Sequence, residues 1–536
     1  MNKYLLRIVP AVRKYASFIG PGIMVSVAYM DPGNYSTAVS AGADYQYKLL
    51  VVCFLSNIFA VILQCLCVKL GTITGLDLAE MCRMVLPPWL NLFMYVCAEL
   101  AIVATDLAEV VGTAIALEIL FGIPLVLGSF ITILDVLLVL LAYHKDGNMR
   151  QTHMFENLVL VLVAATCMCF VIELFKCDFT PGALGDIARG FLPMSPGVFT
   201  ESRALFLSCG IVGSTVMPHS LYLGSSIVQS RLRDYDTRHG ILAMGRAPAH
   251  HAYPADPDSE STSIDSHKAA RIDSVPRSKF MSFSDASHLA RKYKPSYAAI
   301  KHCLAYSYVE LVLSLFLIAV FVNTSILIVA GSTLHGKPDA ENADLLSIYN
   351  MLSRYISPAA GFVFALSMLF SGQSAGIVCT MAGQIVSEGF INWSFTPWVR
   401  RIVTRGLAIV PVVVFISILG REGVATIMNF SQVVLSFILP ICSAPLIFFT
   451  AFKKYMTVYN AHAPADAPAT ETTTLLTRRA SRSLSSDFDR EVGAFGTRVI
   501  SFENGLLLNV VSITTWLVIT FLNIYLVYLF SKGIQF

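Results

Sequence analysis

The sequence predicts an all-α polytopic membrane protein of eleven transmembrane helices, built as two five-helix halves of inverted topology in which helices 1 and 6 are discontinuous. Three observations point there. Of the 536 residues, 55% are hydrophobic and only 14% are charged, against roughly a quarter charged in an average soluble domain. Apolar runs long enough to cross a hydrocarbon core about 30 Å thick recur along the chain. Two of these runs, five apart in order, are interrupted in the middle by Asp31-Pro32-Gly33-Asn34 and by Met217-Pro218-His219-Ser220.

The apolar runs lie at 18–43, 49–70, 90–120, 123–143, 154–175, 202–228, 303–330, 356–385, 399–419, 424–452 and 506–530. Residues 1–17 are basic and have no small-residue cleavage site, so they read as the cytosolic flank of a retained helix and not as a signal peptide. Helices 1–6 then occupy 18–230. Residues 231–302 are rich in Ser, Asp, Arg and Pro without apolar periodicity, and read as a largely disordered cytosolic loop. Helices 7–10 follow at 303–452, a second cytosolic loop at 453–503, and helix 11 with a short non-cytosolic tail at 504–536. Charge gives the orientation. Most of the 38 Lys and Arg fall in the N-terminus and in the loops after helices 2, 4, 6, 8 and 10, which the positive-inside rule places in the cytosol. Topology thus explains the basic residues, and no nucleic-acid partner is expected beside the lipid bilayer. Nearly all of the twelve cysteines lie in or beside apolar runs, where Cys serves as a small hydrophobe and not as a disulfide framework.

The two interruptions carry the chemistry. Proline lacks the N–H of the helical ladder, and Gly33 adds backbone freedom. Within a membrane, the freed backbone groups are tolerated only where they are buried in protein or line a cavity. Matching breaks in two halves point to a secondary transporter with its site at the breaks. Asp31 is costly in an apolar helix and calls for a compensating partner. Asn34 adds an amide oxygen, Met217 a thioether, and the loosened turn before Pro218 frees the carbonyl of Ser214. Carboxylate, amide, thioether and carbonyl together suit an intermediate divalent ion such as Mn²⁺ or Fe²⁺, whereas Mg²⁺ or Ca²⁺ gains little from sulfur. Gln432 in helix 10 has two readings, a further metal ligand when the site closes or an interhelical hydrogen bond.

A proton route is expected beside the site. His219 titrates near neutrality and lies two residues from Met217. In helix 3, Glu99, Asp106 and Glu109 are spaced to share one face, and acids within a membrane span read by default as a proton pathway. Arg405 in helix 9 is either their counter-charge or a snorkelling side chain near the cytosolic end. Asp135 in helix 4 is a further polar group that needs a partner.

These residues resemble the signature of the Nramp proton-coupled divalent metal transporters: Asp-Pro-Gly-Asn in helix 1 and Met-Pro-His in helix 6. The stretch from Ala98 through Glu99, Asp106 and Glu109 is similar to the family's third helix, and that from Ser371 to Phe390 to its eighth. The resemblance covers nearly all of the membrane part. It implies the LeuT-type inverted-repeat fold, Fe²⁺ and Mn²⁺ as substrates with H⁺ as the coupling ion and no cofactor, and ligation by Asp31, Asn34 and Met217. Two positions depart from the family pattern, Ser214 where Ala is usual and Ser220 where Asn is common. The short N-terminus, the segment after Arg231 and a tail motif most resemble the fungal Smf group, in particular its vacuolar-membrane iron transporters. That motif, Glu471 followed at the fourth position by Leu475 and Leu476, matches an acidic dileucine sorting signal read by vesicle-coat adaptors, or is a chance match in a biased segment. Alternatives are a plasma-membrane or endosomal manganese importer of the same family, an organic-substrate permease of the same architecture, and a metal sensor without transport. No nucleophile and base pair suggests an enzyme.

Overall fold

The computed structural model describes residues 21–132, 149–177, 179, 181–193, 198, 200–241, 293–337, 345–392, 397–419, 422–460 and 498–532. Asp135 and the motif of Glu471, Leu475 and Leu476 lie outside these. Helix 1 is two pieces, α1 (Pro21–Val27) and α2 (Pro32–Tyr45). Helix 2 is α3 (Leu50–Thr74) and helix 3 is α5 (Pro88–Phe121), with the short α4 (Leu78–Val85) between them. A reciprocal capping box of Asp77 and Glu80 starts α4, satisfying two orphan amides at its N-terminus. Helix 4 is described only in its opening turns, helical at 125–132. Helix 5 is α6 (Met149–Lys176), followed by the short α7 (Ala183–Gly190). Helix 6 is again two pieces, α8 (Ser202–Thr215) and α9 (Pro218–Arg238). Helix 7 consists of α10 (Tyr297–Ser314), a π-helical turn (Leu315–Val320) and α11 (Phe321–Thr333).

Helix α12 (Leu345–Tyr355) precedes helix 8, α13 (Pro358–Ile391). Helices 9 and 10 are α14 (Pro397–Leu419) and α15 (Glu422–Ala451), and helix 11 is α16 (Leu506–Ser531). Among the described residues, eight helical stretches are long and apolar enough to cross a membrane. They are the expected helices 2, 3, 5, 6, 7, 8, 10 and 11. Helix 1 is not among them, its two described pieces having 7 and 14 residues, and the apolar part of helix 9, Ile402–Val414, is shorter. The fold is therefore a mostly helical, multi-pass membrane bundle with broken helices 1 and 6.

At the centre stands α5, packed on α13, α14 and α15, while α2 packs on α11 and α9 on α3. The outward faces of α6, α14 and α16 carry exposed Val161, Phe175, Val410, Phe521 and Ile524, the pattern of a surface turned to lipid. The twelve cysteines are free thiols.

The segments 231–302 and 453–503, which the sequence reads as loops, carry regular structure at their ends. Residues 231–238 continue α9 because Leu232 is buried with Ala299 and Cys303. The carboxylate of Asp236 accepts from Tyr293 Oη at 2.5 Å, Ser296 N at 2.9 Å and Ser296 Oγ at 2.5 Å. That clamp closes the loop's two ends on each other. The ends of the second segment pair as an antiparallel ribbon of β1 (Thr457–Asn460) and β2 (Arg498–Ser501). β-Branched Thr457, Val458, Val499 and Ile500 favour that pairing.

Close helix packing rests on glycine. A Cβ at Gly71 of α3 would lie 1.9 Å from the Ser225 carbonyl oxygen of α9, whereas one at Gly406 of α14 would meet nothing within 4 Å. Gly71→Ala should lower stability by about 1–3 kcal/mol through overpacking. Gly406→Ala should be neutral or stabilising by about 0.5–1 kcal/mol. Thermal unfolding in detergent compares the two.

Candidate metal site and buried acid cluster

Helix α1 ends in tight turns: the amides of Ala28, Tyr29 and Met30 reach back to the carbonyls of Val25, Ser26 and Val27 at 3.1–3.2 Å. The chain then extends at Asp31, which caps α2. Its Oδ2 accepts from Gly33 N at 3.1 Å and its Oδ1 from Asn34 N at 3.3 Å. Pro32 opens α2 where no N–H is needed. Two carbonyls of the break are taken up from elsewhere, Met30 O by the hydroxyl of Ser371 in α13 and Tyr29 O by Asn34 Nδ2 at 2.9 Å.

The second break falls at Val216 and Met217, with Met217 extended as the N-cap residue of α9. Asn34 joins the two breaks. Its Nδ2 also donates to Asp31 Oδ1 at 2.9 Å and to the Ser214 carbonyl at 3.1 Å. The sequence suggested that Asn34 offers its amide oxygen; the structure instead turns Nδ2 to these groups. The reason is that Tyr29 O, Asp31 Oδ1 and Ser214 O are all acceptors, so the amide turns its two N–H groups, shared among the three, toward them and its oxygen away. Half-helices α1 and α8 both end here, so the negative ends of their dipoles meet at this point, a setting that favours a cation.

Gln432 of α15 lies against the first break. A Cβ at Gly33 would be 2.2 Å from Gln432 Nε2 and 2.7 Å from Asp31 Oδ2, so glycine is what lets the amide approach. Gln432 Nε2 donates to Ser431 Oγ at 3.1 Å, and its Oε1 is buried without a partner. Asp31, Asn34, Ser214, Met217 and Gln432 are all buried, and among the described residues Asp31 forms no ion pair.

A second buried cluster sits beside the first. Arg405 is fully buried, so it is a counter-charge and does not snorkel. Its Nη2 is 3.2 Å from Glu109 Oε2, its Nη1 is 3.9 Å from Asp106 Oδ1, and Nη1 donates to the Asp106 carbonyl at 3.1 Å. Cys379 of α13 adds a sulfur within 4.8 Å of the two carboxylates, but the guanidinium already supplies their positive charge. His219 contacts Thr105, the neighbour of Asp106, through Nδ1 at 3.4 Å. The ring of Pro32 packs onto Gly112, where a Cβ would be 2.2 Å away, which sets the first break within one turn of Glu109. Glu99 is not part of this cluster. It lies two turns earlier on α5 and is only partly buried.

Sequence reasoning did not single out Gln64 of α3. Its Nε2 donates to Tyr29 Oη at 2.8 Å and to the carbonyl and hydroxyl of Ser220, each at 3.0 Å, tying the two breaks from another side. A lone Gln in an apolar span was the available signal.

Removing one member of a buried charge set leaves the others uncompensated, at about 3–5 kcal/mol. Arg405→Gln should destabilise the protein by that order, and adding Glu109→Gln should recover part of the loss. Chemical or thermal unfolding of the single and double variants reads both.

The family model described as "Natural resistance-associated macrophage protein-like" (Nramp) matches residues 22–477. The chain is 51% identical over 534 residues to the protein named iron transporter SMF3 of Saccharomyces cerevisiae, covering 98% of each. It is 44% identical to the manganese transporter SMF1 of the same yeast, covering 96% of this chain and 85% of that one. A crystal structure of the Eremococcus coleocola manganese transporter, in complex with an aromatic bis-isothiourea substituted compound, superposes with a TM-score of 0.66 at 27% identity, covering 94% and 84% of the two chains. With its paired helix breaks and this breadth of similarity, the chain belongs to the Nramp family.

Proposed function

We propose that this chain carries Fe²⁺ and Mn²⁺ into the cytosol together with protons, by alternating access about its two helix breaks, and that it mobilises iron stored in the vacuole. The chain is a multi-pass membrane transporter of divalent metal ions and not an enzyme; coupling, direction and compartment are the parts we infer. One observation carries the site. Asp31 is a fully buried carboxylate with neutral hydrogen-bond donors but no ion-pair partner among the described residues, and it stands where two half-helices end and two carbonyls converge. The arriving cation supplies the missing charge.

On binding, the metal replaces the Asn34 amide nitrogen among Asp31 Oδ1 and the Ser214 carbonyl, and the Asn34 amide turns over to present its oxygen. Met217 contributes sulfur, which favours Mn²⁺ and Fe²⁺ over Ca²⁺. Gln432, whose Oε1 has no partner, completes the shell as the site closes. Protons move by way of Asp106, Glu109 and His219, with Arg405 holding the two acids in place. Each pH unit across the membrane supplies about 1.36 kcal/mol per proton, so an acidic lumen drives metal to the cytosol. The named role of the SMF3 relative supports iron as cargo, and the dileucine motif of Glu471, Leu475 and Leu476 supports adaptor-dependent sorting to the vacuole. The similarity to SMF1 favours a second reading, a manganese importer of the plasma membrane or endosome. Competition between the two metals in flux assays, with the tagged protein's location, separates them.

In proteoliposomes with an imposed pH gradient, Asp31→Ala should abolish Mn²⁺ and Fe²⁺ uptake, and retained uptake would sink the site. Met217→Ala should admit Ca²⁺ as a competitor of Mn²⁺ uptake. Unchanged rejection of Ca²⁺ would remove the role given to sulfur.

A further inference from the structure

Glu173 lies one turn from the end of α6. It is 1% exposed, and both carboxylate oxygens are buried without a hydrogen-bond partner among the described residues. It opens into a small cavity of about 10 Å³, room for about one water, whose walls include Val39 of α2, Phe170 of α6, Ile326 and Thr333 of α11, Ile348 of α12 and Phe364 of α13. Two of these wall residues stack near Tyr35, whose ring lies 5.4 Å from Phe170 and 6.1 Å from Phe364.

What can satisfy this carboxyl is limited by its surroundings. The one other polar group of the wall, Thr333 Oγ1, donates back to Val329 O at 2.6 Å. One carboxylate and one committed hydroxyl are too few donors for a metal ion. The titratable or charged groups on the surrounding elements do not neutralise it either. From α2 comes Tyr35, whose hydroxyl turns to Ser367 O at 3.4 Å, and, at the helix end, Asp44, held by Arg203 at 2.7 Å. Helix α6 itself brings Cys169, Cys177 and the exposed Lys176, and α12 brings Tyr349 and the exposed Arg354. His335, just beyond α11, is engaged with Ala43 O at 2.9 Å; α11 and α13 bring no titratable group to the cavity wall. An isolated ionised carboxylate in such a place costs many kcal/mol, whereas the neutral acid costs a few.

We infer that Glu173 is a second proton-binding site, separate from Asp106, Glu109 and His219, and that it must take up a proton before α2, α11, α12 and α13 can close over it. The closed wall is built from the outer half of broken helix 1 and from helices 7 and 8. Closure of that side therefore carries a proton with it, and the open, hydrated arrangement is the one that tolerates the carboxylate. The inference rests on the alternating-access reading above and deepens it, by placing a proton requirement on the outer closing step.

The test places a thiol at the cavity wall, Ile348→Cys, and follows its modification by a membrane-impermeant thiol reagent in vesicles across outer pH. The parent chain gives the background of native cysteines. Glu173→Gln on the same Ile348→Cys background cancels the reagent's own pH dependence. With Glu173 present, labelling relative to the Gln variant should be high at alkaline pH and fall by up to about tenfold per pH unit, the limit for one linked proton. Glu173→Asp, still a carboxyl, should keep the dependence. Labelling of the Glu and Gln proteins in constant ratio at every pH, or loss of the dependence in the Asp variant, overturns the assignment. The measurement needs no metal flux, so absence of metal uptake by the parent protein would count against the transport reading alone.

Discussion

The architecture depends on one constraint: two transmembrane helices are interrupted at mid-length, and each backbone group freed there must find a partner within the protein. The partners are specific. Asp31 takes the first amides of α2, Ser371 takes the Met30 carbonyl, Asn34 takes those of Tyr29 and Ser214, and Ser220 takes that of Met217. Only polar side chains placed at these depths make the breaks affordable, and those same side chains make the site polar enough for a cation. Structure and function thus draw on one set of residues, which is why the close approaches at Gly33 and Gly112 fall here.

Buried acids in this bundle are handled in three ways. Asp106 and Glu109 share Arg405, a pairing in which each contact gains on the order of 4 kcal/mol at the effective dielectric of a protein interior. Asp31 receives only neutral donors and the end of a helix dipole, which leaves its charge to be balanced by the cargo. Glu173 receives nothing from the protein among the described residues. The three differ in what comes and goes. In the proposed cycle the pair held by Arg405 passes protons, the carboxylate without a counter-charge takes the metal cation, and the one in the apolar cavity takes a proton of its own.

Much of this was legible in the sequence. The two Pro-containing breaks, the acids of helix 3 and Arg405 all stand out because a polar residue in an apolar run is costly and must have a reason. The same logic reached Ser214 and Gln432 by position. It grouped Glu99 with Asp106 and Glu109, whereas the structure sets that residue two turns of helix away and only partly buried, because a shared helix face does not imply a shared depth. It also missed Gln64, Ser371 and Glu173. A single polar residue in a span announces a partner without saying which, and only the packed bundle reveals that Gln64 reaches both Tyr29 and Ser220. The regular structure at the ends of the segments 231–302 and 453–503 was hidden for a related reason: the Asp236 clamp pairs residues some sixty positions apart, and no local pattern records that.

The two positions that leave the family pattern show where such differences act. Ser214 keeps the carbonyl that faces Asn34, and its added hydroxyl lies 3.2 Å from both Ile211 O and Thr37 Oγ1. The Ser220 hydroxyl donates to Met217 O at 2.7 Å and meets Tyr29 Oη at 3.2 Å. Neither change adds or removes a proposed metal ligand. One ties α8 to α2, and the other ties α9 to the turn after α1, so both cross between the broken helices. A hydrogen bond between neutral groups contributes about 0.5–1.5 kcal/mol, enough to shift a two-state equilibrium between open and closed arrangements by roughly two- to tenfold. On the proposed reading these serines act on how readily the halves separate, and metal choice stays with the carboxylate, amide, carbonyl and sulfur that they leave unchanged.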